Sequence, residues 1–385
     1  MIYLDNNATT RLHPEALAAM QPWLQDQYAN PSSMHQFGQN ARQAVEAARY
    51  QVATLAGCQA SEVIFTSGGT EADNAAIMGV AASAAADRQT IITSAVEHSA
   101  VRETLAALEK RGWRIMEIPV DISGKLDLTA LEESLRRHKA ALLTIMWANN
   151  ETGVLFDVTA IGHLARAHGV LFHTDAVQAA GKIPFSFAQM PIDLLSISGH
   201  KFHGPKGTGA LVARRAVRWQ PFIRGGPQER DRRGGTENVA GIVGMGQAAA
   251  IAAGRLLDPN YPRLIGQMRD KLETGILNSI PESHVNGDTA HRLANTTNIG
   301  FDGLEAEAIL ILLSQMDICA SAGAACSSGS LEPSHVLRAM HIAERTAHGS
   351  IRFSLSDFTT LQEIQSTLEI LPEVIHRLRK VLPVA

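Results

Sequence analysis

The chain has 385 residues, 45% hydrophobic and 19% charged, with a formal net charge of −4. At about 150 residues per domain that is enough for two domains with a large core, which excludes extended disorder. The mild acidity excludes a basic face for nucleic acid, and the longest clean apolar run, Ala308 to Leu313, falls far short of the ~20 residues of a membrane helix.

The N-terminal Met1-Ile2-Tyr3-Leu4-Asp5 has no basic and apolar leader, so a cytoplasmic protein is expected. Short apolar runs then alternate with segments of helical period, the pattern of an α/β fold with a largely parallel sheet. Glu62 to Thr66 reads as a strand that runs through Ser67-Gly68-Gly69-Thr70-Glu71 into a helix over Ala72 to Ala82. Ile91 to Thr93 leads to Glu97-His98, and Ala141 to Met146 leads to Asn149-Asn150-Glu151. Val170 to Phe172 leads to His173-Thr174-Asp175, and Leu194 to Ile197 to Ser198-Gly199-His200-Lys201. Between these runs, Asp127 caps a helix with Leu128, Leu131 and Leu135 on one face, and a second helix through Ile161, Leu164 and Ala165 stops at Gly169. The stretch Gly254 to Pro262 reads as a hinge between a large and a smaller domain, and Thr360 to Glu363 as a capping box before Ile364, Leu368, Leu371, Ile375 and Leu378. Doubly wound sheets bind ligands outside the carboxyl ends of their strands, so polar groups following several strands point to one shared pocket.

Three local signals have chemical content. Ser67-Gly68-Gly69-Thr70 before a helix fits a phosphate seat, although it is neither a P-loop nor GxGxxG and Gly-rich turns are common. Lys201 ends a buried-looking strand, where a depressed pKa suits a Schiff base; a solvated surface lysine is the plainer alternative. Asp175 precedes it by one crossover, and an aspartate on a pyridinium nitrogen with a lysine on the aldehyde carbon is what pyridoxal phosphate (PLP) requires. Third, Ala320 to Ser330 contains only Ala, Ser, Gly and Cys326, which fits either a mobile loop or a small-residue helix contact with an inert thiol. The other cysteines, Cys58 and Cys319, lie in apolar, helix-like contexts and read as core; no CxxC pair is present, so neither a disulfide framework nor a zinc ribbon is expected. His98, His173, His200 and His203 lack the motif of a metal site, and no resident metal is expected.

Taken together, Tyr3 to Thr10, Asn30 to Ser33, Thr66 to Glu71, Glu97-His98, Asn149 to Gly153, His173 to Gln178, Ser198 to Lys201, Arg224 to Gly226, Gly235-Thr236, Cys326 before Leu331 to Ser334, and Ile351 to Ser354 resemble the PLP-dependent cysteine desulfurases. These form part of the class V branch of the aspartate aminotransferase fold, and the likeness is greatest to the nitrogenase-associated members. The resemblance implies a large PLP-binding domain with a mostly parallel sheet over residues 15–258, and a smaller α+β domain from residues 1–14 and 259–385. It implies that Lys201 binds PLP and moves the α-proton, His98 stacks on the ring, Asp175 pairs with the ring nitrogen and Gln178 with the phenolic oxygen. Gly69, Thr70, Ser198 and His200 would hold the phosphate, with Thr236 reaching the phosphate of a second subunit in a homodimer. Asn150, also beside the cofactor, and Arg352 would orient L-cysteine. Cys326 would accept the sulfur as a persulfide and pass it to an iron–sulfur scaffold protein, and would also be able to ligate a transferred cluster.

Two departures stand out: Ala322 and Ala324 replace serines that relatives often have beside the thiol, and the long C-terminal tail of the housekeeping branch is missing. A selenocysteine lyase or an aminotransferase of the same fold is the alternative, and an aminotransferase would need no Cys326.

Overall fold

The structure, a computed structural model, describes residues 1–322 and 333–381. Its centre is a seven-stranded sheet made of β2 (Val63–Thr66), β3 (Thr90–Ser94), β4 (Arg114–Ile118), β5 (Ala140–Thr144), β6 (Leu171–Asp175), β7 (Leu194–Ser198) and β8 (Gly209–Ala213). The order across it is β2-β8-β7-β6-β5-β3-β4. Only β8 runs against the others, pairing antiparallel with both β2 and β7. A strand buried on both faces has no polar side to show, which is why β2, β3, β5, β7 and β8 are buried at every position. One face packs on a core that includes Phe65, Ile92, Leu143, Phe172 and Ile197; the other packs on Ile64, Ile91, Leu142, Leu194 and Leu211.

A second, smaller core surrounds an antiparallel sheet of β9 (Ser283–Val285), β10 (Thr296–Phe301) and β12 (Ser350–Ser354) in the order β12-β10-β9. Ile299, Phe301, Ile351 and Phe353 there meet Ile364, Leu371 and Ile375 of helix Leu361–Val381. The first strand, β1 (Ile2–Tyr3), lies parallel to β11 (Ile318–Cys319), so the N-terminal segment is anchored to chain more than 300 residues away. Leu4 belongs to this second core, whereas Val336, Leu337 and Met340 pack into the first.

The helix signals are realised in detail. Asp127 and Asp157 accept the N–H groups of Ala130 and Ala160 at the starts of their helices, and Gly169, with φ of 63°, follows the second. Thr360 and Glu363 form the reciprocal capping box, and Pro372 is accommodated inside the helix that follows.

Two expectations are corrected. His173 to Asp175 lie within β6 rather than after it, because the His173 ring is satisfied inside the core by the Thr144 and Ser196 hydroxyls. Cys319 sits in a strand, and Cys58 follows Gly57, the left-handed cap that ends helix Gln36–Ala56. Among the described residues one helix, Val239–Leu256, is long and apolar enough to cross a membrane. Gln247 and the glycines interrupt its apolar run in the sequence, and it packs in the structure against helices Pro14–Gln25 and Gln36–Ala56.

Candidate functional site

The carboxyl ends of β2, β3, β5, β6 and β7 open onto one cavity of about 250 Å³. Gly69 and Thr70 line it after β2, His98 after β3, Asn150 after β5, Asp175 and Gln178 from β6, and Ser198, His200 and Lys201 from β7. Arg352 reaches it from β12, and Asn7 and Ala8 from the N-terminal segment.

Each side chain is placed by local structure. Gly69 opens helix Gly69–Ala81, whose first N–H groups have no partner within the helix. A Cβ on Gly69 would meet Val177 Cγ2 at 2.6 Å, so only glycine lets the helix end approach this closely. Beside it the Ser198 hydroxyl is buried without a hydrogen-bond partner. An orphan hydroxyl beside a helix N-terminus fits a phosphate group. His98 caps helix Ser99–Glu109 by accepting the Ala100 N–H on Nδ1 at 3.1 Å, which leaves the ring proton on Nε2.

Asp175 is 6% exposed and accepts the Val177 N–H at 2.8 Å. Burial raises its pKa, while His98, the Val177 bond and Lys201 pull it back. Lys201 donates to the main-chain carbonyls of Asn7 at 2.6 Å and Ala8 at 2.9 Å. Burial, then the charges of Lys201, Lys206 and Lys182, bring His200 down to about 4, so its ring is neutral against the Thr9 hydroxyl at 3.1 Å. Arg352, 2% exposed, donates to the Asn150 carbonyl at 3.0 Å and to Asp5 Oδ1 at 2.6 Å. Its guanidinium is thereby aimed at the cavity, where a planar fork suits a carboxylate.

The structure thus gathers every residue expected near the cofactor or substrate except two. Thr236 is exposed and lines a different groove with Thr66, Ser67 and Arg233. Cys326 lies outside the described residues.

Four participants had no role assigned from the sequence: Asn7, Asp73, Glu97 and Lys182. Asn7 ties the two sheets together, donating to the Asn150 carbonyl and the Thr296 hydroxyl. Asp73, 1% exposed, sits with His98 and Asp175 so that one atom of each lies within 4.8 Å of the others. Two carboxylates this close in a buried pocket cannot both ionise freely, and burial followed by Asp175 holds Asp73 well above the usual range.

Glu97 is fully buried and accepts from Ser94 Oγ at 2.5 Å and Met146 N at 2.9 Å. Burial outweighs those bonds and pushes its carboxyl up to about 8. The folded chain therefore keeps a proton that the unfolded chain releases above about pH 4.5, so stability falls as pH rises from there to about 8. Glu97→Gln, neutral throughout, should melt higher than the parent protein above about pH 8 and nearly equal to it near pH 5. The same difference at both pH values would contradict the assignment.

Residues 2–367 match the family profile described as "Aminotransferase class-V". The chain is 52% identical over 383 residues to "Cysteine desulfurase" of Trichormus azollae, covering 100% of this chain and 95% of that one. It is 48% identical over 383 residues to "Cysteine desulfurase NifS" of Azotobacter vinelandii, covering 99% and 94%. Among solved structures, a "NIFS-LIKE PROTEIN" superposes with a TM-score of 0.90 at 36% identity, covering 98% of this chain and 100% of the other. "SspA in complex with cysteine" superposes with a TM-score of 0.82 at 33% identity, covering 94% and 100%.

Proposed function

The chain belongs to the aminotransferase class-V family and is a cysteine desulfurase, and on that premise we propose how its residues divide the work. The observation that supports the division is the convergence of Lys201, Asp175, His98, Gln178 and Arg352 on one cavity. Pyridoxal phosphate, when bound, supplies a protonated ring able to take up the electron pair left when the substrate loses its α-proton. The orphan Ser198 hydroxyl, the free N–H groups at Gly69 and Thr70, and neutral His200 suit its phosphate. Asp175 would face the ring nitrogen, the His98 ring would cover the ring face, and Gln178 would donate to the phenolic oxygen.

Lys201 would bind the cofactor and then take the α-proton on Nζ, leaving its Asn7 and Ala8 carbonyl partners to do so. Arg352 would hold the L-cysteine carboxylate beside Asn150. The Cys326 thiolate would attack the substrate sulfur; an S–S bond forms, the substrate Cβ–S bond breaks, and its electron pair stays with the carbon skeleton, which leaves as alanine. No external oxidant is needed, since one sulfur is oxidised as the carbon is reduced.

The exposed position of Thr236, away from the Lys201 cavity, supports pairing of two copies in which Thr236 completes the partner's phosphate site. An iron–sulfur scaffold protein in the cytoplasm is the proposed sulfur acceptor, and nitrogen fixation the proposed setting, by analogy with the nitrogenase-associated relatives.

Borohydride reduction of the PLP-loaded protein, followed by peptide mapping, tests the division. The expected result is a single cofactor-bearing peptide containing Lys201. Label on Lys182 or on no lysine would overturn it.

A further inference from the structure

Lys182 lines a neighbouring cavity whose wall Lys201 shares. Its Nζ donates to Gln178 Oε1 at 2.6 Å and to Asn7 Oδ1 at 2.9 Å. Both amide orientations follow from groups that can only accept. Gln178 Nε2 lies 2.9 Å from the Asn7 main-chain carbonyl, and Asn7 Nδ2 lies 3.2 Å from that of Asn150. Each amide must therefore turn its NH2 to a carbonyl and its oxygen to Lys182, which is a donor for both.

We propose that Lys182 is a positioning residue of the active site: it locks the Gln178 amide with its oxygen turned away, so that its NH2 is presented at the cavity wall to the cofactor's phenolic oxygen. The inference rests on the assignment of Gln178 to that oxygen. Without Lys182, the Gln178 oxygen would lose its donor, and only the Asn7 carbonyl would still oppose the turned-over amide, which presents an acceptor where a donor is required.

The surroundings are consistent with a donor held for orientation. The charged or titratable groups that share a cavity wall with Lys182 are Lys201, His203, Arg255, Tyr261 and Asp357, and the charge of Arg352 also reaches it. Burial first, then the charges of Lys201 and Arg352, holds the Lys182 pKa well below its ordinary value. Protonated or neutral, the amine offers at least two N–H groups, enough for the two acceptors it serves here. A Lys182→Met side chain fills similar space and offers none, whereas Lys182→Arg keeps the donors.

The test compares apoproteins of the parent, Lys182→Met, Lys182→Arg and Gln178→Leu, each reconstituted with pyridoxal phosphate. The dissociation constant and the pH titration of the cofactor's absorption band are measured for each, with a melting curve of the apoprotein. Lys182→Met is expected to weaken cofactor binding about tenfold, the loss of one good hydrogen bond. It should also move the absorption titration in the same direction as Gln178→Leu, with Lys182→Arg restoring most of both. A lowered melting temperature with an unmoved titration in Lys182→Met, while Gln178→Leu moves it, would make Lys182 merely structural and overturn the inference. An unmoved titration in Gln178→Leu as well would overturn the underlying assignment of Gln178. Should Lys182→Met fail to fold, Lys182→Leu, which likewise offers no donor, serves with the same expectations.

Discussion

Lys201→Ala is expected to remove alanine formation from L-cysteine, a loss on the order of 10⁴-fold for a proton-transfer group. The size follows from the absence of a substitute. Lys182 is the other amine in this hydrogen-bond network, but its Nζ is engaged by the Gln178 and Asn7 side-chain oxygens. His98 presents Nε2–H rather than a free acceptor, because the Ala100 N–H occupies Nδ1. Single-turnover alanine assays, run on protein shown to retain cofactor noncovalently, check this. Activity within about tenfold of the parent would place the base elsewhere.

The sheet was the most legible part of the chain. Apolar runs such as Leu194 to Ile197 are too short for helices and too uniformly apolar for exposed strands, so a buried parallel sheet was the natural reading. The carboxyl-end rule then led from five runs to one pocket, and Lys201, Asp175 and His98 do line it. The antiparallel direction of β8 had no local signature, since strand direction is a property of the connection and not of the run.

What escaped the sequence depends on distant contacts. Asn7 meets Thr296 across 289 positions, and nothing near Asn7 signals that its side chain will bridge two sheets. Lys182 follows Gly181 in a turn, the setting of an ordinary solvated lysine, and only the fold brings Asn7 to it. Asp73 lies just past the first turn of a helix, where an acid reads as an exposed charge; instead it shares the buried face of Ala72 and Ala76, which carries it inward. Arg352 shows the reverse case. A charge within the apolar strand Ile351 to Ser354 is locally anomalous, and its burial against Asp5 explains the anomaly. Cys326 lies outside the described residues, so its role rests on the family resemblance and on chemistry.

That makes Cys326 the place to test the account. Sulfur leaves L-cysteine as a formally electron-poor atom in this reaction, and water is a poor acceptor for it, so removing the only proposed acceptor thiol should stop turnover. The decisive measurement is alanine and sulfide released from L-cysteine in the presence of a thiol reductant, comparing the parent with Cys326→Ala. Equal amounts of both products from the parent, and neither above background from Cys326→Ala, are predicted. Release of both products by Cys326→Ala at the parental rate would contradict the account, because alanine forms only if a nucleophile takes the sulfur, and that nucleophile would then be another thiol, such as the added reductant, and not Cys326.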